Sequence, residues 1–460
     1  MPLAYLRRMG LACAGSLAIA GCASFDPNNI IFRHGAPQES DFPVSAIQTT
    51  ALTADIRKEA FDFVWNTVQE RYYDPRLNGV DWQAIRGKYY PLALEAKGEE
   101  AFWDTLDKMT GELKDSHTRV ESPKRAADRR RYENQTIGVG VALIDDQLVV
   151  TGVGGNSDAW WAGARPGMVV RSVDGEDAVT VYRRILDSTR AASTQRARYL
   201  SAQGKLNRGE QGSIVTLTFE RGDGTVFPAA LKRRLIVSPP SVQSRLLPSG
   251  FGYVRFSNFL PSLSGQVNAA LREYKNTPGL IIDLRNNGGG SLEMAKDLIG
   301  AFFNKKVPMS TQITRTGRPI TIAWGMVEVI KMEYQTSVNP DAYVGKVVVL
   351  TNAASASASE LFSAAMQDLG RATIIGEPTC GCLLGYLGYS NVPGGGEMAY
   401  SEIGFITPGG RRIEGEGVVP DKVVPLTRTD LLVSRDRVFE EAQEMLKVEI
   451  AGKNLAGTRN

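Results

Sequence analysis

The chain has 460 residues, 43% of them hydrophobic and 22% charged, with a formal charge of +3 at pH 7. That length suits two or three domains, and the composition excludes a disordered or collagen-like chain. So small a net charge gives no basis for nucleic-acid binding.

At the N-terminus Arg7 and Arg8 precede a mostly apolar run over residues 9–21. The run is too short for a bilayer span of roughly 20 residues, so it reads as a signal peptide over 1–21. It ends in Ile19-Ala20-Gly21-Cys22, which resembles the bacterial lipoprotein lipobox. The resemblance implies cleavage before Cys22, lipidation of its thiol and membrane attachment without a spanning helix. Ala23 after the cysteine points to the outer membrane, facing the periplasm. Loss of Arg7 and Arg8 with the leader brings the formal charge to +1. Residues 22–50, with Pro27, Pro37 and Pro43, read as a polar tether in which His34 is solvated.

From residue 51 the pattern turns helical, with Phe61, Val64, Trp65, Val68 and Tyr72 at 3.6-residue spacing. Asp74-Pro75 and Asn78-Gly79 break it. A second amphipathic stretch over 102–113 ends at Lys114-Asp115-Ser116-His117-Thr118. Together these predict an N-terminal helical domain over 51–133.

Residues 136–237 form a second unit of short strands. SDAWWAGARPGMVVRSVDG, residues 157–175, resembles a PDZ domain in the order of its short helix, Pro166-Gly167 turn, strand and Asp174-Gly175 turn. Such a domain adds a peptide to a strand edge and holds its terminal carboxylate on loop N–H groups. Gly138, Val139 and Gly140 are the candidate loop. A polar, Arg-rich insertion over 188–212 has no evident role at this level.

The third unit spans 245–427, followed by a C-terminal helix and tail over 428–460. Leu280-Ile281-Ile282-Asp283-Leu284 is a buried strand followed by Asn287-Gly288-Gly289-Gly290 and a helix, a βαβ signature. The consecutive glycines do not fit a dinucleotide fingerprint, but they allow close backbone approach. Val347 to Leu350 is another buried strand; small residues follow over 353–359, and a helix resumes with Phe362, Met366 and Leu369 on one face. A hydroxyl on that turn lies at the carboxyl edge of the sheet, near unpaired helix-start N–H groups. Ser357 there is either a nucleophile or, with Glu360, half of a helix capping box.

Four motifs in order after the PDZ-like unit, DLRNNGGG, NAASASASE, GEPT and EGVVPD, resemble the C-terminal processing and tail-specific serine proteases and their tricorn-like relatives. The resemblance covers residues 51–427. It implies α/β and β modules: an N-terminal helical region, a PDZ-like domain and an α/β (ClpP/crotonase-like) serine protease core. It implies no cofactor and no metal. It makes Ser357 the nucleophile, supported by Ser355 and Ser359. N–H groups of Ala358 and of Gly288 or Gly289 then form the oxyanion hole.

Two departures divide the family's branches. The processing branch uses a Lys as general base where this chain has Cys382, and a Pro-Tyr pair where it has Ser116-His117. The tricorn-like branch uses a Ser-His pair with a Glu behind it. His117 is therefore the candidate base and Ser116 its orienting neighbour, with Glu414 or else Glu416 as supporting acid. An unperturbed imidazole sets the expected pH profile near 6 to 7. With Cys13 and Cys22 assigned to the leader and the lipid, Cys380 and Cys382 give no disulfide framework. They read as small pocket-lining residues rather than as metal ligands.

The resulting expectation is an envelope serine endopeptidase acting on polypeptides with exposed C-termini. An inactive PDZ scaffold and a binding lipoprotein remain as alternatives.

Overall fold

The computed structural model describes residues 25–27, 30, 31, 33 and 51–457. Cys22, His34 and the leader lie outside the described residues. Among the described residues no helix is long and apolar enough to cross a membrane.

Three helices open the body: α1 (Ala54–Arg71), α2 (Trp82–Leu94) and α3 (Glu99–Gly111). Thr53 and Asp81 cap the first two by accepting N–H groups of Ile56 and Ala84. The 3.6-residue stripe of α1 buries Phe61, Val64, Trp65 and Val68 against Phe102, Trp103 and Leu106 of α3. Val392, Met398 and Tyr400 of the core complete this cluster, so the helices are docked on it. The short strand β1 (Arg119–Glu121) then pairs antiparallel with β18 (Gly396–Ala399). That pairing carries His117, two residues earlier, to the core.

The next unit is an antiparallel sheet in the order β2 (Val139–Ile144), β3 (Gln147–Val153), β4 (Val169–Val173), β5 (Ile214–Glu220), β6 (Val226–Lys232). The helices α4 (Asp158–Trp161), α5 (Ala178–Ser188) and α6 (Gln195–Asn207) belong to it. Its alternating residues bury Val139, Val141, Leu148, Val150, Leu217 and Phe219. The first strand, β2, is an edge.

The core sheet runs β7 (Val242–Leu246), β8 (Gly252–Phe256), β9 (Gly279–Asp283), β14 (Lys346–Thr351), β15 (Thr373–Gly376), β20 (Lys422–Val423). Only β7 and β8 pair antiparallel. The near-continuous apolar strands are covered on both faces, as parallel sheets require. Leu280, Ile282, Val347 and Val349 meet helices α7 (Pro261–Glu273), α8 (Leu292–Gly300) and α9 (Ala358–Asp368). Ile281, Val348, Leu350 and Ile375 meet Ala442 and Leu446 of α10 (Arg437–Gly457). A four-stranded sheet, β13 (Glu333–Gln335), β10 (Pro308–Ile313), β19 (Ile403–Ile406), β16 (Leu384–Gly385), stands beside this core. A hairpin of β11 (Ile320–Ile322) and β12 (Val327–Ile330) projects from it, and β17 (Ser390–Val392) extends the β18 pair. Part of the stretch read as a solvated tether packs here, because Ile30 and Ile31 are buried with Ile322.

Candidate active site

The turn between β14 and α9 and the Gly-rich turn after β9 leave the carboxyl ends of adjacent parallel strands. Their backbones are laced together. Ala356 N–H and the Ser359 hydroxyl both donate to the Asn287 carbonyl, at 3.0 and 2.9 Å. The Ser355 hydroxyl donates to the Leu284 carbonyl at 2.7 Å. Asn352 and Asn286 exchange two further bonds, at 2.9 and 3.0 Å.

Ser357 sits at φ 56°, ψ −117°, a left-handed conformation that a side chain disfavours. Such a turn lifts a hydroxyl off the end of a strand. Gly289 lies against it: a Cβ there would come within 2.5 Å of the Ala356 carbonyl, 2.6 Å of the Ser357 Cβ and 2.7 Å of the Ala358 nitrogen. Only glycine fits, as the Gly-rich reading requires. The Gly289 N–H donates to Asn287 Oδ1 at 3.0 Å. No described acceptor takes the N–H of Gly288 or of Ala358.

Glu360, the cap partner in the sequence reading, does more than cap. It is fully buried. Its Oε2 accepts the N–H of Ser357 at 3.0 Å and of Cys382 at 2.9 Å, and its Oε1 accepts the Thr379 hydroxyl at 2.6 Å and the Gly381 N–H at 2.7 Å. Burial pushes its carboxyl up, and these four donors pull the other way. The Ser357 N–H also reaches the Cys382 carbonyl at 3.0 Å. One carboxylate thus ties the serine turn to the loop after β15.

In that loop Cys380 and Cys382 form a disulfide, which corrects the expectation of two free thiols. Their spacing across one glycine was the available signal. Both line the cavity, as expected.

His117 is held by Asp115, whose Oδ1 accepts the His117 N–H at 2.7 Å. Asp115 Oδ2 accepts the hydroxyls of Thr118 and Ser401, at 2.5 and 2.6 Å. Arg119 lies over Tyr386 and Tyr389 and donates to the His117 carbonyl at 3.1 Å. Burial pulls the imidazole down to about 4; Asp115 opposes this and Arg119 adds to it. The value near 6 to 7 expected from the sequence is displaced because the ring is desolvated.

The insertion over 188–212 braces this site. Ser193 and Ser116 exchange backbone-to-hydroxyl bonds of 2.9 and 3.1 Å. Arg190 donates to the carbonyls of Asp115 and Thr118, at 2.8 and 2.7 Å. Arg196 donates to the Thr379 carbonyl at 2.8 Å, and Thr194 to that of Cys380. Ser116 Oγ lies 3.4 Å from the Cys382 sulfur.

Ser357, His117, Ser116, Gly288, Gly289 and both cysteines line one cavity of about 410 Å³. Ala197, Leu200 and Ser201 of α6 supply a wall. Glu414 is not among the residues lining the cavity; its Oε2 accepts the N–H of Leu383, next to the lining Cys382, at 2.6 Å. Burial pushes its carboxyl well up, and Asp115 and Glu360 add to this. Glu414 Oε1 and His117 Nδ1 are both buried without a partner. Glu416 is exposed. Gly138 is away from this cavity; its N–H donates to Thr136 Oγ1 at 3.0 Å, so that donor is already engaged.

Residues 250–424 match the model of peptidase family S41, and residues 54–111 that of the tricorn protease C1 domain. The carboxyl-terminal-processing protease of Synechocystis sp. is 29% identical over 402 residues, 84% of this chain and 86% of that protein. The chloroplastic C-terminal processing peptidase of Tetradesmus obliquus is 28% identical over 389 residues, 82% and 79% of the two. Among solved structures, the photosystem II D1 C-terminal processing protease shares the fold with a TM-score of 0.52 at 24% identity, over 80% of this chain and 93% of that one. Mature CPAF shares it with a TM-score of 0.64 at 16% identity, over 85% and 97%.

A parallel sheet that raises a strained serine at its carboxyl edge, taken with these matches, defines a serine-type peptidase. Over residues 250–424 the chain is similar to peptidase family S41, and along most of its length it is similar to carboxyl-terminal-processing proteases. The mixed α/β architecture expected from the four motifs is the architecture observed.

Proposed function

We propose that the protein is a lipid-anchored endopeptidase of the bacterial envelope that works through an acyl-enzyme on Ser357. The observation that carries this reading is the single cavity gathering Ser357, in its left-handed turn, with His117 and the Gly-rich loop. Ser357 Oγ attacks the scissile carbonyl as His117 takes its proton. The N–H groups of Ala358 and Gly288, free of other acceptors, meet the developing oxyanion. The C–N bond then breaks, His117 returns the proton to the leaving amine, and water hydrolyses the ester by the reverse steps.

Glu414 suits the supporting role, because Oε1 and His117 Nδ1 are each left unpaired in a buried setting. In this proposal Glu414 serves as the acid that favours the imidazolium once His117 has taken the proton. Exposed Glu416 lacks that setting. Ser116 acts through its bonds to Ser193. Gly138, Val139 and Gly140 open onto the edge strand β2, which leaves a side for strand addition by a substrate end. Cys22 carries the lipid, and the body faces the periplasm from the outer membrane.

One experiment tests capture and chemistry together. A peptide with a free apolar C-terminus is expected to show a higher kcat/KM than its C-terminal amide, and Ser357→Ala to cleave neither. Equal kcat/KM for the two peptides would refute carboxylate capture. Cleavage by Ser357→Ala would refute the nucleophile.

A further inference from the structure

The hairpin β11–β12 ends in an apolar tip with no role in the cavity. Trp324 is 63% exposed and Met326 74%, with exposed Val327 following. Ala323, Trp324 and Gly325 all have positive φ, at 53°, 56° and 85°, so the turn itself is tight. Three adjacent exposed apolar side chains at a loop tip need an occupant or a surface.

The start of the chain is fastened to this tip. The Phe25 carbonyl accepts the Ala323 N–H at 2.6 Å, and the Phe25 ring meets Trp324 edge-on at 5.0 Å between centroids. Ile30 and Ile31 are buried with Ile322, and Arg33 binds Glu402 and Tyr400. Cys22 is three residues before Phe25. Even fully extended, three residues span only about 10–11 Å. An acyl anchor on Cys22 therefore holds Phe25 within about that distance of the bilayer, with the hairpin tip packed beside it.

We propose that the tip, residues 324–327, enters the headgroup region of the membrane that holds the anchor. The inference rests on reading Cys22 as lipidated. Trp suits this depth, because its ring is apolar and its indole N–H stays hydrated. Glu328, exposed next along β12, would remain in water. The tip thus fixes the body against the surface where a lone tether would let it swing.

The test uses the full-length protein, purified from membranes and reconstituted in phosphatidylethanolamine–phosphatidylglycerol vesicles, with and without brominated acyl chains. Mass spectrometry of the N-terminal peptide first establishes the lipid on Cys22. Brominated lipid is expected to quench part of the tryptophan fluorescence, and that quenched component to disappear in Trp324→Phe. Met326→Asp is expected to weaken it, with peptidase activity unchanged as proof of folding. A lipidated protein with equal quenching in wild type and Trp324→Phe would overturn the insertion and leave the anchor standing. An unmodified Cys22 would overturn both.

Discussion

Replacing His117 with alanine is expected to lower kcat by about 10²–10⁴-fold, the usual loss on removal of a general base. Adding Ser357→Ala should cost little more than either change alone, because nucleophile and base act as one unit. The ring is buried, yet its bracing is made by backbone groups: Asp115 and Arg119 hold the N–H and carbonyl of residue 117. Those contacts survive the substitution, so the fold should persist and circular dichroism should match wild type. The control is Cys380→Ala with Cys382→Ala. It removes the disulfide but no proton acceptor, so it should keep far more activity than His117→Ala. Full activity in His117→Ala would remove the imidazole from the mechanism.

The second large effect is expected at Glu360, the last residue of the NAASASASE motif and central to the site's geometry. Glu360→Gln keeps the volume but turns one acceptor oxygen into a donor facing donors. At least one pair among Ser357 N–H with Cys382 N–H, or Thr379 hydroxyl with Gly381 N–H, loses its acceptor. Because the Ser357 N–H keeps the Cys382 carbonyl and the Thr379 hydroxyl can turn to accept, one backbone donor is orphaned, and a loss of about 1–3 kcal/mol is expected. Thermal unfolding should show it as a clear fall in Tm. Activity should fall as well, since Ser357 and the loop after β15 are registered through this one carboxylate. An unchanged Tm with full kcat would show that the four bonds do not organise the site.

The serine turn was legible in the sequence because its information is local. A β-branched run, a turn of small residues and a 3.6-residue stripe follow one another within some twenty positions. The α1 stripe was legible for the same reason, and Phe61, Val64, Trp65 and Val68 are all buried. Glu360 was half legible. Its cap spacing to Ser357 is local, while its bonds to Thr379, Gly381 and Cys382 cross 19 to 22 residues with no period. The insertion over 188–212 was illegible as a brace. Arg190 meets Asp115 across 75 residues, and nothing in an Arg-rich polar stretch names its partner. The disulfide was missed by a different route: two cysteines are too few to suggest a framework, although two residues apart they need no framework to meet. The N-terminal packing was hidden because Pro and polar residues around Ile30 and Ile31 hide two side chains that the hairpin buries.

The base assignment itself is tested most directly by the pH dependence of fluorophosphonate labelling at Ser357, with the adduct located by peptide mapping. The reagent reports on the free enzyme, so the profile follows the ionisation of the group that activates the serine. His117 must be neutral to accept the proton, and its burial holds it down to about 4. The labelling rate should therefore fall as pH drops through about 4, be level from there through neutrality, and be lost in His117→Ala. A rate that rises only above pH 6 would contradict the lowered imidazole, and one that His117→Ala leaves unchanged would contradict the assignment of His117 as the base that serves Ser357.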